Sequence, residues 1–266
     1  MGIPRRIIQL GRGEPLPTLQ LASAAGIRAL HPDWEYRFFD DASMLDFVRA
    51  EYPDFLATYA GFPRNIQRVD FFRYLVIHRL GGFYFDLDVF LARSLEPLLV
   101  APAVFPCEGL TLSRHLRRLG MDWEPGNYAF GAAAGHPFLA KVIENCVRAQ
   151  RDPLWLRPML ADIPALFRSD FVVLNSTGPG LLARTYAENP HLVRDLQILC
   201  PGDVSERANW FLFGDYGFHL MEGSWRRNRN NLKERIERAW KTFRRKRQAG
   251  ESRALGALRP VPPKPR

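Results

Sequence analysis

Two carboxylates, Asp86 and Asp88, stand two residues apart in the run Phe83-Tyr84-Phe85-Asp86-Leu87-Asp88-Val89. In an extended chain, where side chains alternate between faces, both leave the same side. Close carboxylates repel each other and are costly to desolvate, and a hard divalent cation relieves both penalties through oxygen coordination. A cation held in this way can also hold a phosphate. The triplet alone suits an edge strand with a solvated acidic face better than a metal site, so the residues around it have to decide.

Upstream, Ile66, Val69, Phe72, Val76 and Leu80 recur at spacings of three and four, which predicts a helix with one buried stripe ending at Leu80. Asp70 and Arg73, three apart, share a neighbouring face of it. Gly81-Gly82 suits the left-handed C-cap that glycine adopts without steric cost, so the chain can reverse into a strand.

The ordered set Asp70, Arg73, Gly81-Gly82, Tyr84, Asp86 and Asp88 resembles the signature of the family 32 glycosyltransferases, whose sugar-binding region carries a D-x-D motif. That family includes initiating mannosyltransferases and bacterial capsule and lipopolysaccharide enzymes. The glucosylating toxins share the pattern. The resemblance implies a GT-A-type nucleotide-sugar-binding α/β fold, with a mostly parallel central sheet flanked by helices. It implies metal-dependent transfer of a hexose-type sugar from a UDP- or GDP-linked donor to a glycan, lipid-linked or other hydroxyl acceptor. Anomeric configuration is retained through same-face attack, and the setting is surface polysaccharide synthesis. By the same resemblance Asp88 binds Mn2+ or Mg2+ directly, while Asp86 holds the ribose and supports the metal. Arg73 adds a fixed cation near sugar and phosphate, and Asp70 accepts hydrogen bonds from sugar hydroxyls.

Other stretches extend the likeness. Ile3 to Leu10 reads as a first strand, and its Ile-Pro-x-x-Ile-x-Gln pattern implies that Ile8 and Gln9 lie beside the donor. Leu16 to Leu30 is a predicted helix, Trp34 to Asp40 a second strand, and Asp41 the N-cap of a helix over Ala42 to Glu51. This strand–helix alternation places the site at the carboxyl edge of a sheet. Asn127 precedes a small-residue strand and a helix over Phe138 to Gln150, and the resemblance sets it near the donor sugar. It reads equally as a turn residue. Trp155 to Phe167 is a predicted acceptor-side helix. Ser176-Thr177-Gly178-Pro179-Gly180 precedes a helix whose first N–H groups could hold an anion or be only a cap. In Gly217 to Trp225, His219 or Glu222 completes the metal shell by the family pattern, with Tyr84, Ser224 and Trp225 on the donor. The residues alone do not choose between His219 and Glu222.

The chain of 266 residues carries 37 Lys and Arg against 28 Asp and Glu. After residue 225 stand 15 of those bases and 3 of the acids, leaving 22 and 25 in the body, so the basicity belongs to the tail and not to a folded nucleic-acid surface. Expected domains are a catalytic unit over 1–225, a basic amphipathic helix over 226–249 and a disordered Pro/Arg-rich tail over 250–266. Leu232, Ile236, Trp240 and Phe243 form the helix's apolar stripe, which docks on the body, sits on an anionic leaflet or stays solvated. The three cysteines show no C-x-x-C spacing, which points to reduced thiols. With no apolar leader and no apolar run of 18, the expectation is a cytoplasmic protein, peripheral at the inner face of the membrane.

Two rival readings remain. Phe85-Asp86-Leu87-Asp88 also resembles the nucleophile loop of haloacid-dehalogenase-type phosphatases, which implies Asp86 as nucleophile. That family continues with Gly-Thr or a similar pair, where Val89-Phe90 stand here, and has a late acidic pair, whereas Asp40-Asp41 lies upstream. The other rival is a non-enzymatic protein that binds through its basic tail.

Overall fold

The computed structural model describes residues 2–13, 15–200, 211–221 and 232–249. The chain opens with β1 (Arg6–Leu10), α1 (Thr18–Leu30), β2 (Glu35–Phe39), α2 (Asp41–Glu51), α3 (Leu56–Gly61) and α4 (Asn65–Leu80). Next come β3 (Gly82–Phe85), β4 (Val89–Leu91), β5 (Ala103–Leu110), α5 (Arg114–Arg118), β6 (Trp123–Pro125) and β7 (Ala129–Ala132). The remainder is α6 (Pro137–Arg151), α7 (Arg157–Leu160), α8 (Arg168–Ser176), α9 (Pro179–Glu188), β8 (Leu196–Leu199), β9 (Gly217–His219) and α10 (Leu232–Ala249).

One seven-stranded sheet runs in the order β2-β1-β3-β7-β5-β6, with β8 beside β5. β1 pairs parallel with both β2 and β3, and β8 parallel with β5; β7 runs antiparallel to β3 and β5, and β6 antiparallel to β5. Alternation along each strand divides the core into two layers. Ile8, Tyr84, Phe105 and Phe130 join the cluster under α2, α4, α6 and α9. Ile7, Phe83, Phe85 and Val104 join Ile27 and Trp34 on the other side. Both faces are therefore covered, as the apolar Ile7-Ile8 and Phe83-Tyr84-Phe85 runs require. A central sheet with helices packed against it is the layering that the resemblance implied.

Several local expectations shift. α4 is buried at every residue from Asp70 to Ile77 rather than along one stripe, because it lies inside the upper layer and not on its surface. The N-cap of α2 is Asp40, whose carboxylate accepts from Ser43 N at 2.8 Å while Ser43 Oγ accepts from Asp40 N at 2.9 Å. Asp41 is the first helical residue. The helix expected over Trp155 to Phe167 is broken into a 3-10 turn, the short α7 and a second 3-10 turn, with Pro158 and Pro164 interrupting the backbone hydrogen bonds. The strand expected from Phe83 to Val89 ends at Phe85, and the D-x-D residues occupy a turn before β4.

The two glycines between α4 and β3 behave as expected. Gly81 caps α4 through its N–H to Ile77 O at 2.8 Å, with φ 65°. Gly82 has φ 114°, and a Cβ there would lie 2.7 Å from Arg6 O. Gly82→Ala is expected to lower stability by about 1–3 kcal/mol, the cost of a non-glycine residue in a left-handed conformation. The check is urea unfolding; an unchanged midpoint would show that β1 and β3 can separate freely.

Candidate functional site

The site grows from α4. Asp70 and Arg73, both almost fully buried, pair at 2.9 Å, and Arg73 reaches past this pair to Asp86 at 3.3 Å. Arg73 Nη1 also donates to the carbonyl of Asn127 at 2.7 Å, and its guanidinium lies 4.7 Å from the centre of the Tyr84 ring. Asp70 accepts in turn from Thr177 Oγ1 at 2.9 Å and Asn127 Nδ2 at 3.2 Å. Asn127 Nδ2 further reaches Tyr74 Oη at 3.2 Å, and Tyr74 donates to Thr177 O at 2.8 Å. Buried charges need such company, because each is costly to desolvate unless paired and hydrogen-bonded.

The turn after β3 is held from three sides. Asp86 N donates to Tyr128 O at 2.7 Å, and Val89 N donates to Asp86 O at 3.1 Å, closing the turn. Tyr84 Oη donates to the Asp86 carboxylate. Gln9, at the end of β1 and fully buried, donates to Asp86 O at 3.4 Å and accepts from Tyr36 Oη at 2.9 Å.

His219 arrives from 130 residues away because β9 pairs antiparallel with β4 in the register Val89↔His219, Phe90↔Phe218, Leu91↔Gly217. Leu220 N extends the ladder to Asp88 O at 3.0 Å. His219 Nε2 then sits 3.1 Å from Asp88 Oδ1, and its ring stacks on Tyr128 with centroids 4.4 Å apart. One ligand atom each from Asp86, Asp88 and His219 falls within a 4.8 Å span. Two carboxylates and an imidazole suit Mn2+ or Mg2+, with the harder oxygen ligands in the majority.

The electrostatics agree with a site built to receive positive charge. Burial pushes the Asp86 carboxyl above its ordinary value even though Arg73 pulls it down, and the neighbouring Asp88 raises it further. Burial carries Asp70 up to about 6, against the opposing pull of Arg73 and the Thr177 hydrogen bond. Burial alone would lower His219, but the hydrogen bond to Asp88 and the charge of Asp86 hold it above its usual value. A cation placed among these groups would relieve the crowding of negative charge.

The residues expected from sequence are thus mostly brought together, though not all in their expected parts. The Asp70 carboxylate contacts Arg73, Asn127 and Thr177 and so positions Arg73. The Ile8 side chain is wholly inside the core. Ser224, Trp225 and the alternative ligand Glu222 lie outside the described residues. Sequence reasoning missed Tyr74, Tyr128 and the Thr177 side chain, although all three lie in stretches it had singled out. It also missed Glu108, carried on β5 where the register slips between Cys107 and Gly109, and whose charge reaches His219. Such a bulge re-aims a side chain, but nothing in the local sequence announces it.

Residues 20–105 match the family described as glycosyltransferase sugar-binding region containing DXD motif, and the recognition made from the motif holds over that region. The chain is 37% identical over 146 residues to inositol phosphoceramide mannosyltransferase 3 of Schizosaccharomyces pombe, covering 55% of this chain and 38% of that protein. It is 30% identical over 181 residues to mannosyl phosphorylinositol ceramide synthase SUR1 of Saccharomyces cerevisiae, covering 68% and 41%. The chain therefore spans well under half the length of these two relatives. Among solved structures it is similar to PaToxG glycosyltransferase, at 16% identity and TM-score 0.49, with 71% of each chain covered.

Two consequences can be measured without assaying activity. Asp70→Ala leaves Arg73 buried with one carboxylate fewer, and is expected to cost about 3–5 kcal/mol in chemical unfolding, as breaking a buried pair does. Thr177→Val, which removes one hydrogen bond to Asp70, should cost about 1–3 kcal/mol. If the two variants cost the same, the pair with Arg73 is not what holds Asp70.

Proposed function

We propose that this chain, with a D-x-D sugar-binding region over residues 20–105, is a metal-dependent glycosyltransferase that moves a hexose from a nucleoside-diphosphate sugar to a hydroxyl acceptor with retention of configuration. The observation that carries the reading is the convergence of Asp86 and Asp88, from the turn after β3, with His219 of β9 within 4.8 Å, backed by a buried guanidinium. The mannosyl-transferring names of the relatives favour mannose as the sugar, carried by a UDP- or GDP-linked donor, with a glycan or lipid-linked hydroxyl as acceptor.

In this reading Asp88 and His219 hold the cation, with Asp86 supporting it. When bound, the cation supplies positive charge to the diphosphate as the bond from sugar to oxygen breaks. Arg73 is fixed by Asp70 and Asn127 before substrate arrives, so its charge costs no reorganisation during the reaction. Tyr84 orients Asp86, and Tyr128 keeps the His219 ring flat against it, so the ligand set is pre-arranged. The acceptor hydroxyl attacks on the face the diphosphate leaves, and its proton passes to the departing phosphate oxygen.

The phosphatase alternative requires Asp86 to be a free nucleophile. Here its carboxylate accepts from Tyr84 and pairs with Arg73, which lowers its nucleophilicity and suits binding instead.

Asp88→Asn is expected to abolish metal-dependent hydrolysis of UDP- and GDP-sugars while leaving the unfolding midpoint unchanged. Full activity at saturating metal would sink the assignment, and labelling of Asp86 by a phosphate analogue would favour the phosphatase. His219→Ala should weaken Mn2+ binding, read by titration calorimetry, by at least about tenfold, and Tyr128→Leu by less, since it acts only through the ring of His219.

A further inference from the structure

α10 meets the body along one row of side chains. Trp240 packs against Phe167 and Phe171, with ring centroids 5.6 and 6.0 Å away, and Lys233 pairs with Asp170 at 3.3 Å. Lys241 lies 5.0 Å from the Phe171 ring and pairs at 2.6 Å with Glu237, itself buried. The stripe read from the sequence therefore divides, since Trp240 turns inward while its three partners do not.

Leu232, Ile236, Ala239 and Phe243, spaced four, three and four apart, form a second row turned about a third of a revolution from the first. This row is open to solvent, with Leu232 at 69%, Ile236 at 44% and Phe243 at 66% exposure. Arg235 and Arg238 beside it are exposed as well. Single apolar residues on a surface are ordinary, but a continuous helical row of them flanked by arginines is not required by packing on the body.

We propose that this outward row is a peripheral docking face for an anionic lipid surface. Leu232, Ile236 and Phe243 enter the boundary between headgroups and acyl chains, and the arginines meet lipid phosphates. Charge complementarity selects this occupant. The chain after residue 225 carries 15 bases and 3 acids, while the rest carries 22 and 25, so an anionic leaflet attracts the tail and not the body. A second copy of the chain would bring the same cationic flanks together, and a nucleic acid has no use for the apolar row. The proposal is independent of the catalytic reading, because lipid binding and donor hydrolysis are measured separately.

The test is co-sedimentation of the full chain with vesicles of phosphatidylcholine alone and of equal parts phosphatidylcholine and phosphatidylglycerol. Binding is expected to be at least about tenfold tighter to the anionic vesicles and to fade with salt, since exposed charges are screened over about 8 Å at physiological ionic strength. The double variant I236E/F243E should lose at least about tenfold in binding while its melting temperature and donor hydrolysis stay as in the parent. Three outcomes would overturn the proposal. These are that the parent ignores anionic vesicles at low salt; that the double variant binds as well as the parent, leaving charge alone as the cause; or that sedimentation velocity shows a parental dimer that the double variant dissolves.

Discussion

A line of buried charge, Asp70 to Arg73 to Asp86, ties the centre of the upper helical layer to the turn that carries the acidic pair. Each member would be costly to bury alone, and Arg73 is affordable in the core only because carboxylates, a carbonyl and the Tyr84 ring surround it. A buried ion pair of this kind is weak evidence for stability in itself. Its effect is on geometry, since the guanidinium cannot move without stranding a charge, and the D-x-D turn cannot move without the guanidinium. Asn127 and Thr177 belong to the same constraint: each donates a hydrogen bond to Asp70, and together they link α4 to the start of β7 and to the junction of α8 and α9.

The metal-binding candidates depend on a second device, the two-stranded ribbon of β4 and β9. A register slip of one residue would turn His219 to the other face, because side chains alternate along a strand. The stacking of His219 on Tyr128 and the hydrogen bond to Asp88 both require the observed register. Phe90 stacks on Phe218 within the ribbon at 5.6 Å, a cross-strand pair that helps to hold it. The site is thus assembled from one rigid part, fixed by the core, and one part carried by a short ribbon whose outer residues Phe218, Leu220 and Met221 are exposed.

The C-terminal helix divides its surface between two tasks. Trp240 against Phe171 and Lys233 paired with Asp170 anchor it to α8, while the row one third of a turn away stays uncovered. No helix among the described residues is long and apolar enough to cross a membrane. An amphipathic helix docked to the body by one edge can lie flat on a surface without leaving the protein.

The residues that could do this chemistry were legible in sequence because their types and spacing are local facts. Asp86 and Asp88, the helix from Ile66 to Leu80, the glycine pair and the alternation of the first strands depend on neighbours within a few positions, where the 3.6 and 2.0 periods operate. The strand-based argument for the acidic pair nevertheless failed, since Asp86 to Asp88 form a turn, closed by a hydrogen bond from Val89 N to Asp86 O. Which groups partner Asp70, why Tyr128 underlies His219, how Glu108 comes within reach of the site, and which row of α10 faces outward were decided only by the tertiary structure. Each depends on segments separated by tens to more than a hundred residues, whose meeting is set by sheet order, strand register and the need to pair every buried charge, and no local spacing records these.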